Sequence, residues 1–201
     1  MDMVSLDRLL NDFVVDLSEF LNRPLEEVQK EALEFDNTIL RKEWDAYGLD
    51  IYAKSEKYLY DLLRNINYAT ENFFRKLLLV HDKTILDFGG GAATISLLLC
   101  DKNDVYYYDL AGIITDFAKF RAKKRGKNIK FLTTLDSVPD GYFNLVIANE
   151  VMEHVVDLDL EVSRISRVLE DSGTFTIKIH LDLLTYIQCI LIILISGNLF
   201  Y

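Results

Sequence analysis

Thr84-Ile85-Leu86-Asp87-Phe88-Gly89-Gly90-Gly91-Ala92-Ala93-Thr94 is the stretch that decides the fold. An apolar lead ends at an acid, three glycines follow, and small residues open a second apolar run from Ile95 to Leu99. This pattern predicts a buried strand, a tight turn and the start of a helix. Glycine lets the backbone take left-handed torsions and lets a ligand approach the main chain. The helix behind it presents free N–H groups and the positive end of its dipole to that ligand. The segment therefore reads as the first strand-turn-helix unit of a nucleotide-type α/β fold, whose ligands lie beyond the carboxyl ends of the strands.

A glycine turn by itself admits two cofactor chemistries. The dinucleotide fingerprint G-x-G-x-x-G needs a third glycine for close helix–strand packing. Gly89 and Gly91 fill the first two places, but Thr94 stands in the third. A pyrophosphate gains nothing from the carboxylate of Asp87, two residues before Gly89. A ligand with a cationic amino acid end does. A nucleotide-dependent oxidoreductase is the weaker reading on both counts.

At these residues the chain resembles a known family. Asp87-Phe88-Gly89-Gly90-Gly91-Ala92-Ala93 resembles motif I of class I S-adenosylmethionine-dependent methyltransferases, D/E-x-G-x-G-x-G, with Ala93 in place of the last glycine. The family's second acid closes strand 2. Val105-Tyr106-Tyr107-Tyr108-Asp109 supplies it, at the expected distance of about 20 residues. Phe143-Asn144-Leu145-Val146-Ile147-Ala148-Asn149-Glu150-Val151-Met152-Glu153-His154-Val155 resembles the strand 4 block, often F-D-x-V followed by L-E-H. Here Asn144 replaces the Asp and Met152 the Leu. The resemblance spans roughly residues 80–180, with the three blocks in family order.

The resemblance implies an α/β, Rossmann-like, mostly parallel sheet with helices on both faces, and S-adenosyl-L-methionine as cofactor. It implies a role for each residue. Asp87 would order the methionyl ammonium, through water or the turn backbone. Gly89, Gly90 and Gly91 would let the chain pass close to the cofactor. Asp109 would accept the ribose hydroxyls, with Leu110 against the adenine. Thr134, Leu135 or Asp136 would meet the adenine edge. Ala148, Asn149 and Glu150 would end strand 4 at the reaction centre. His154, Glu150 and His180 are candidates for taking a proton from the acceptor. His81, before strand 1, is at the opposite edge. No metal site is expected.

The 201 residues suffice for one ordinary domain with a real core. Half are hydrophobic and 27% charged, as in globular proteins. The formal net charge of −10 argues against a duplex nucleic acid partner and toward a small-molecule methyl acceptor. Lys119, Arg121, Lys123, Lys124, Arg125, Lys127 and Lys130 form the basic run, which reads as a solvated helix face. Cys100 and Cys189 make no disulfide framework, and the acidic N-terminus has no signal-peptide pattern. A reducing, cytoplasmic location is the default expectation.

The expected organisation is a helical N-terminal cap over 1–80, the cofactor-binding α/β domain over 81–180 and an apolar tail over 181–201. Amphipathic helices are expected over 4–21, from Pro24 to Glu34, over 38–47 with Gly48 at the C-cap, over 51–66, and over 71–80 with Thr70 as cap. In similar methyltransferases such a region roofs the cofactor. Trp44, Tyr47, Tyr52, Tyr58 and Tyr60 read first as helix packing and second, for Tyr58 or Tyr60, as site lining. Strands are expected at 84–88, 104–108, 129–134, 143–148 and 173–179. Helices are expected at 92–101, 111–125 and 157–170.

After strand 5 the family pattern calls for another helix and two more strands, the last antiparallel. The 181–201 tail is too short for all of these, so the C-terminal strands read as missing. Leu183 to Ile195 is about 13 apolar-rich residues, against the roughly 20 of a membrane span. The tail therefore reads as a buried element covering the sheet edge, or as the end of a truncated chain, rather than as an anchor. The rival to an active enzyme is a catalytically inactive cofactor-binding or scaffold protein on the same fold.

Overall fold

The structure is a computed structural model that describes residues 6–66, 68–181 and 187–193. In chain order the elements are α1 (Leu6–Leu21), α2 (Leu25–Glu34), α3 (Asn37–Tyr47), α4 (Ile51–Lys54), α5 (Glu56–Arg64), α6 (Tyr68–Leu77), β1 (Thr84–Phe88), α7 (Thr94–Leu99) and β2 (Asp104–Tyr108). Then follow α8 (Ile113–Lys124), β3 (Lys130–Leu132), β4 (Phe143–Asn149), α9 (Leu158–Val168), β5 (Leu169–Leu181) and β6 (Ile187–Ile193). The chain forms two compact units, one of residues 1–79 with 110–126, the other of residues 80–109 with 127–201.

The second unit is built on one six-stranded sheet of order β3-β2-β1-β4-β5-β6. β1 to β5 run parallel and β6 is antiparallel to β5, with His180 opposite Gln188. Strand order reverses between β1 and β4, where Phe88 lies opposite Ala148. That switch point is where parallel sheets open a crevice for ligands. Ile85, Leu86, Asp87 and Phe88 are all buried, as expected of a strand covered on both faces. The pleat splits them. Leu86 and Phe88 join Val146, Ala148, Phe175 and Ile177 in a core that takes Ile165 and Val168 from α9. Asp87, on the alternate face, bonds Ser96 of α7. Helices α7 and α9 therefore flank opposite faces of the sheet. Each fully buried aliphatic in that core contributes about 1.5–3 kcal/mol.

The tail expectation is resolved in part. Ile187–Ile193 supplies an antiparallel neighbour to β5, so an element after strand 5 does cover that strand's edge. The rest of the 182–201 tail lies outside the described residues. Among the described residues no helix is long and apolar enough to cross a membrane.

Several boundaries differ from the expectation. The 51–66 helix breaks at Ser55, whose hydroxyl caps α5 by accepting from Tyr58 N–H. Pro24 is the extended residue before α2, not its first helical one. Thr70 lies inside α6 rather than capping it. Helix α9 stops at Val168 because Leu169 is already extended. Residues between Leu169 and Thr174 then form a bulge against β4, and Gly173 is packed so tightly on Leu169 that a Cβ would lie 2.6 Å from its Cδ1.

The larger correction concerns the basic run, which is a solvated face only in part, with Lys119 and Lys123 exposed. In the first unit Arg121 is 2% exposed and Asp16 of α1 is fully buried. Arg121 Nε donates to Asp16 Oδ2 at 3.0 Å, and Arg125 Nε and Nη2 reach the same oxygen at 2.9 and 2.8 Å. Lys124 faces Asp16 Oδ1 at 3.1 Å as an ion pair without hydrogen-bond geometry, and Glu19 at 2.7 Å. The cause is a shared period. Asp12, Asp16 and Glu19 recur on one face of α1 as Arg121, Lys124 and Arg125 do on one face of α8. Arg121 also stacks on Phe13 and Phe117, 4.8 and 5.7 Å from the ring centroids. Burial pulls its pKa down to about 10, with Asp16 opposing. In the second unit Lys127 pairs with Asp101, and Lys130 with Asp104 at 2.7 Å.

Tyr60 follows the packing reading. It is 1% exposed within the first unit, stacked on Phe35 at 5.9 Å. Trp44, Tyr52 and Tyr58 make a chain of edge contacts at 5.7 and 4.8 Å. Asp16→Ala would leave Arg121 as an uncompensated buried cation. A loss of about 3–5 kcal/mol is expected in urea denaturation, whereas Lys123→Ala on the exposed side of α8 changes stability by less than about 0.5 kcal/mol.

Candidate functional site

The turn after β1 is held almost entirely by the end of β2. Gly89 N–H and Gly90 N–H both donate to Tyr108 O, at 2.8 and 3.4 Å. Tyr107 Oη donates to Gly91 O at 2.7 Å, and Gly91 N–H donates to Asp109 Oδ2 at 2.7 Å. The parallel pairing makes this possible, since Phe88 and Tyr108 end their strands in register. The turn's backbone is thereby fixed before any ligand arrives.

Two glycines here are required by geometry. Gly89 has φ +65°, and a Cβ on it would lie 2.2 Å from Val151 Cγ2. A Cβ on Gly90 would lie 2.6 Å from the Tyr107 ring. Ala93 stands where the motif has its last glycine, and it keeps that backbone: φ is +56° and the residue is fully buried. The left-handed torsion costs a non-glycine residue roughly 1–2 kcal/mol.

Asp87 is 1% exposed, and its Oδ2 accepts from Ser96 N–H at 3.0 Å and Ser96 Oγ–H at 2.6 Å. It thus caps α7 from the neighbouring strand, because Ala93 offers no side-chain cap. Burial raises its pKa to about 6, and the Asp109 charge adds to the rise. The two Ser96 bonds oppose it without prevailing.

The other expected residues fall as follows. Asp109 is half-buried at the mouth of the turn. Leu110 is 56% exposed and begins the 110–126 segment that groups with the first unit. Thr134 Oγ1 accepts from Asp136 N–H at 3.1 Å, closing a small turn after β3. The Leu135 side chain is 2% exposed and belongs to the core, while its carbonyl accepts from Arg167 Nη2 at 2.7 Å. Asn149 ends β4 opposite Lys178, one residue past the Phe88–Ala148 pair, and its Oδ1 is buried without a hydrogen-bond partner among the described residues. Glu150 follows with φ +54°. His154 is exposed in the Met152–His154 turn of 3₁₀ helix. His180 lies in β5, and its side chain is outside the described ones. His81 is exposed at the start of the unit, 2.8 Å from Asp82. Among the described residues no group of acids, cysteines and histidines is arranged to hold a metal.

Asp87, Gly89, Gly90, Gly91, Asp109, Asn149 and Glu150 therefore converge on the switch point, with Thr134 on the loop after the neighbouring β3. Three contributors escaped the sequence reading: Tyr107, Ser96 and Lys178. A lone lysine in Phe175-Thr176-Ile177-Lys178-Ile179 was the available signal for the last.

The arrangement suits an adenosine-bearing ligand with a cationic end. The turn leaves its glycines without side chains between backbone and ligand, and Asp109 offers a carboxylate at the tip of β2. As pH rises through about 6, folded Asp87 must give up a proton that its unfolded counterpart gives up near 3.8. Stability from this group is therefore complete below the lower value and lost through the upper one. Relative to wild type, Asp87→Asn is expected to gain about 2 kcal/mol between pH 4 and pH 7. Urea melts of both proteins at the two pH values check this.

A family profile described as a methyltransferase domain matches residues 58–188. No curated protein sequence matches. Among solved structures, a Pyrococcus horikoshii OT3 protein superposes with TM-score 0.50 at 23% identity, over 69% of this chain and 66% of its own. An Aquifex aeolicus S-adenosylmethionine-dependent methyltransferase aligns at 18% identity and TM-score 0.49, over 73% of each chain. A Bacillus subtilis protein aligns at 23% identity and TM-score 0.49, over 54% of this chain and 49% of its own. The chain thus spans about half the length of that last relative.

Proposed function

The chain belongs to the methyltransferase-domain family, and from that premise we propose that it binds S-adenosyl-L-methionine at the turn after β1 and transfers its methyl group to a small-molecule acceptor. The observation that carries this reading is the clasp of Asp109 on Gly91, 2.7 Å long, at the sheet's switch point. It puts an acid beside a side-chain-free turn at the tip of β2, where two adjacent ribose hydroxyls can be accepted. The unpartnered Asn149 Oδ1 adds an acceptor suited to an ammonium.

When bound, the cofactor supplies an electrophilic methyl on a sulfonium. An acceptor's lone pair would take that methyl as the C–S bond breaks, leaving a neutral thioether. The protein's part is binding and orientation. Gly89 and Gly90 admit the ligand, Asp109 fixes the ribose, and the loop at Thr134 and Leu135 borders the adenine through its main chain. His154 and His180 are the candidate bases for an acceptor that must lose a proton.

A small acceptor is favoured over nucleic acid by the net charge of −10 and by the engagement of Arg121, Lys124 and Arg125 with Asp12, Asp16 and Glu19. A cytoplasmic location is part of the same reading, in keeping with the free thiol of Cys100.

Calorimetric titration with S-adenosylhomocysteine tests it. Micromolar binding is expected for wild type, and a loss of at least tenfold for Asp109→Ala, about 1.4 kcal/mol or more. Absence of binding by the folded wild-type chain would overturn the proposal. Binding without turnover on any small acceptor would favour the inactive, scaffold form of the same fold.

A further inference from the structure

The roles assigned so far leave one buried charge without a task. Lys178 of β5 has a side chain with no exposure, and it lies opposite Asn149 in the parallel register. An ammonium placed there without a counter-charge would be strongly disfavoured. Its partner is Glu150. Lys178 Nζ donates to Glu150 Oε1 at 2.5 Å, and Glu150 N–H donates to Lys178 O at 2.6 Å. Both the side chain and the backbone of Lys178 thus engage Glu150.

The residue they hold is strained. Glu150 has φ +54°, in the left-handed region that non-glycine residues avoid. Such torsions persist where the surroundings over-determine them, and they gather at ligand sites. Both chain neighbours of Glu150 touch the same site. Asn149 carries the buried unpartnered Oδ1. Val151 packs directly on Gly89, the first glycine of the turn. The ion pair is also lopsided. Its ammonium end is sealed in the sheet, and its carboxylate end, with 12% of the side chain exposed, is the one a ligand can reach.

We propose that Lys178 is a positioning residue that fixes the Glu150 carboxylate at the end of β4 to balance the sulfonium charge of the cofactor. This rests on the cofactor reading above and deepens it. A sulfonium is present in S-adenosylmethionine and absent in S-adenosylhomocysteine, so a fixed carboxylate nearby favours the first ligand over the second. On this proposal the aligned carboxylate, rather than the pair's zero net charge, decides the preference, because Coulomb interaction falls with distance and the carboxylate is the more exposed end of the pair.

The test compares both ligands on each protein by calorimetry, reading the ratio of the two dissociation constants. Glu150→Gln is expected to weaken S-adenosylmethionine about tenfold more than S-adenosylhomocysteine. Lys178→Met should shift the ratio in the same direction, and Lys178→Arg should largely keep it. The double variant Glu150→Gln with Lys178→Met removes both charges together, so no buried ion is left unpaired, and it decides the matter if a single variant does not fold. An unchanged ratio in these variants, with wild type binding both ligands, overturns this inference alone. Wild type that binds neither ligand overturns the cofactor reading and this inference with it.

Discussion

The site depends on the grip of one strand end on the next strand's turn. Tyr108 O, Tyr107 Oη and Asp109 Oδ2 bind three consecutive glycines from the tip of β2. A glycine turn left to itself would sample many conformations, because glycine loses more freedom on folding than any other residue. Four hydrogen bonds to a neighbouring strand remove that freedom in the folded state. The grip works only because β1 and β2 are parallel and in register, so their last residues lie side by side.

The same turn shows how burial and charge are traded at this edge. Asp87 could have faced the ligand. It instead turns to Ser96, where it supplies the cap that Ala93 cannot. That choice makes it a buried helix-capping acid whose pKa is raised by burial. Asp109 remains half-buried and close to the glycines. Two acids that look alike in sequence are separated by their surroundings, one sealed under a helix and one at the mouth of the turn. Asn144 shows a comparable local logic. Its amide oxygen accepts from Thr84 N–H at 2.8 Å, tying β4 to the start of β1 where the family pattern has an Asp.

Ionic pairing in the helical unit follows a different rule. There the counter-ions come from two helices whose charged faces share a period. Arg121 is buried because Asp16 and two aromatic rings replace its water. Lys178 is buried in the sheet for an analogous reason, with Glu150 as counter-ion. Each of these buried cations is hydrogen-bonded to a carboxylate distant in sequence.

The sequence by itself determined the strand-turn-helix at Thr84–Leu99, because it rests on local composition and spacing, whereas the acid at Asp109 and the block at 143–155 were picked out by resemblance to a family. β1, β2 and β4 fall where the apolar runs place them. Helix ends were less legible: Ser55 splits one expected helix, and Thr70 lies inside another. The basic run looked like a solvated face because a one-dimensional reading of α8 contains no sign of α1. Tertiary structure alone decided three matters: that Asp87 caps α7, that Arg121 is buried on Asp16, and that Lys178 holds Glu150 in a left-handed turn. All three are contacts across elements made by ionisable groups, and for Arg121 and Lys178 the partner lies far along the chain.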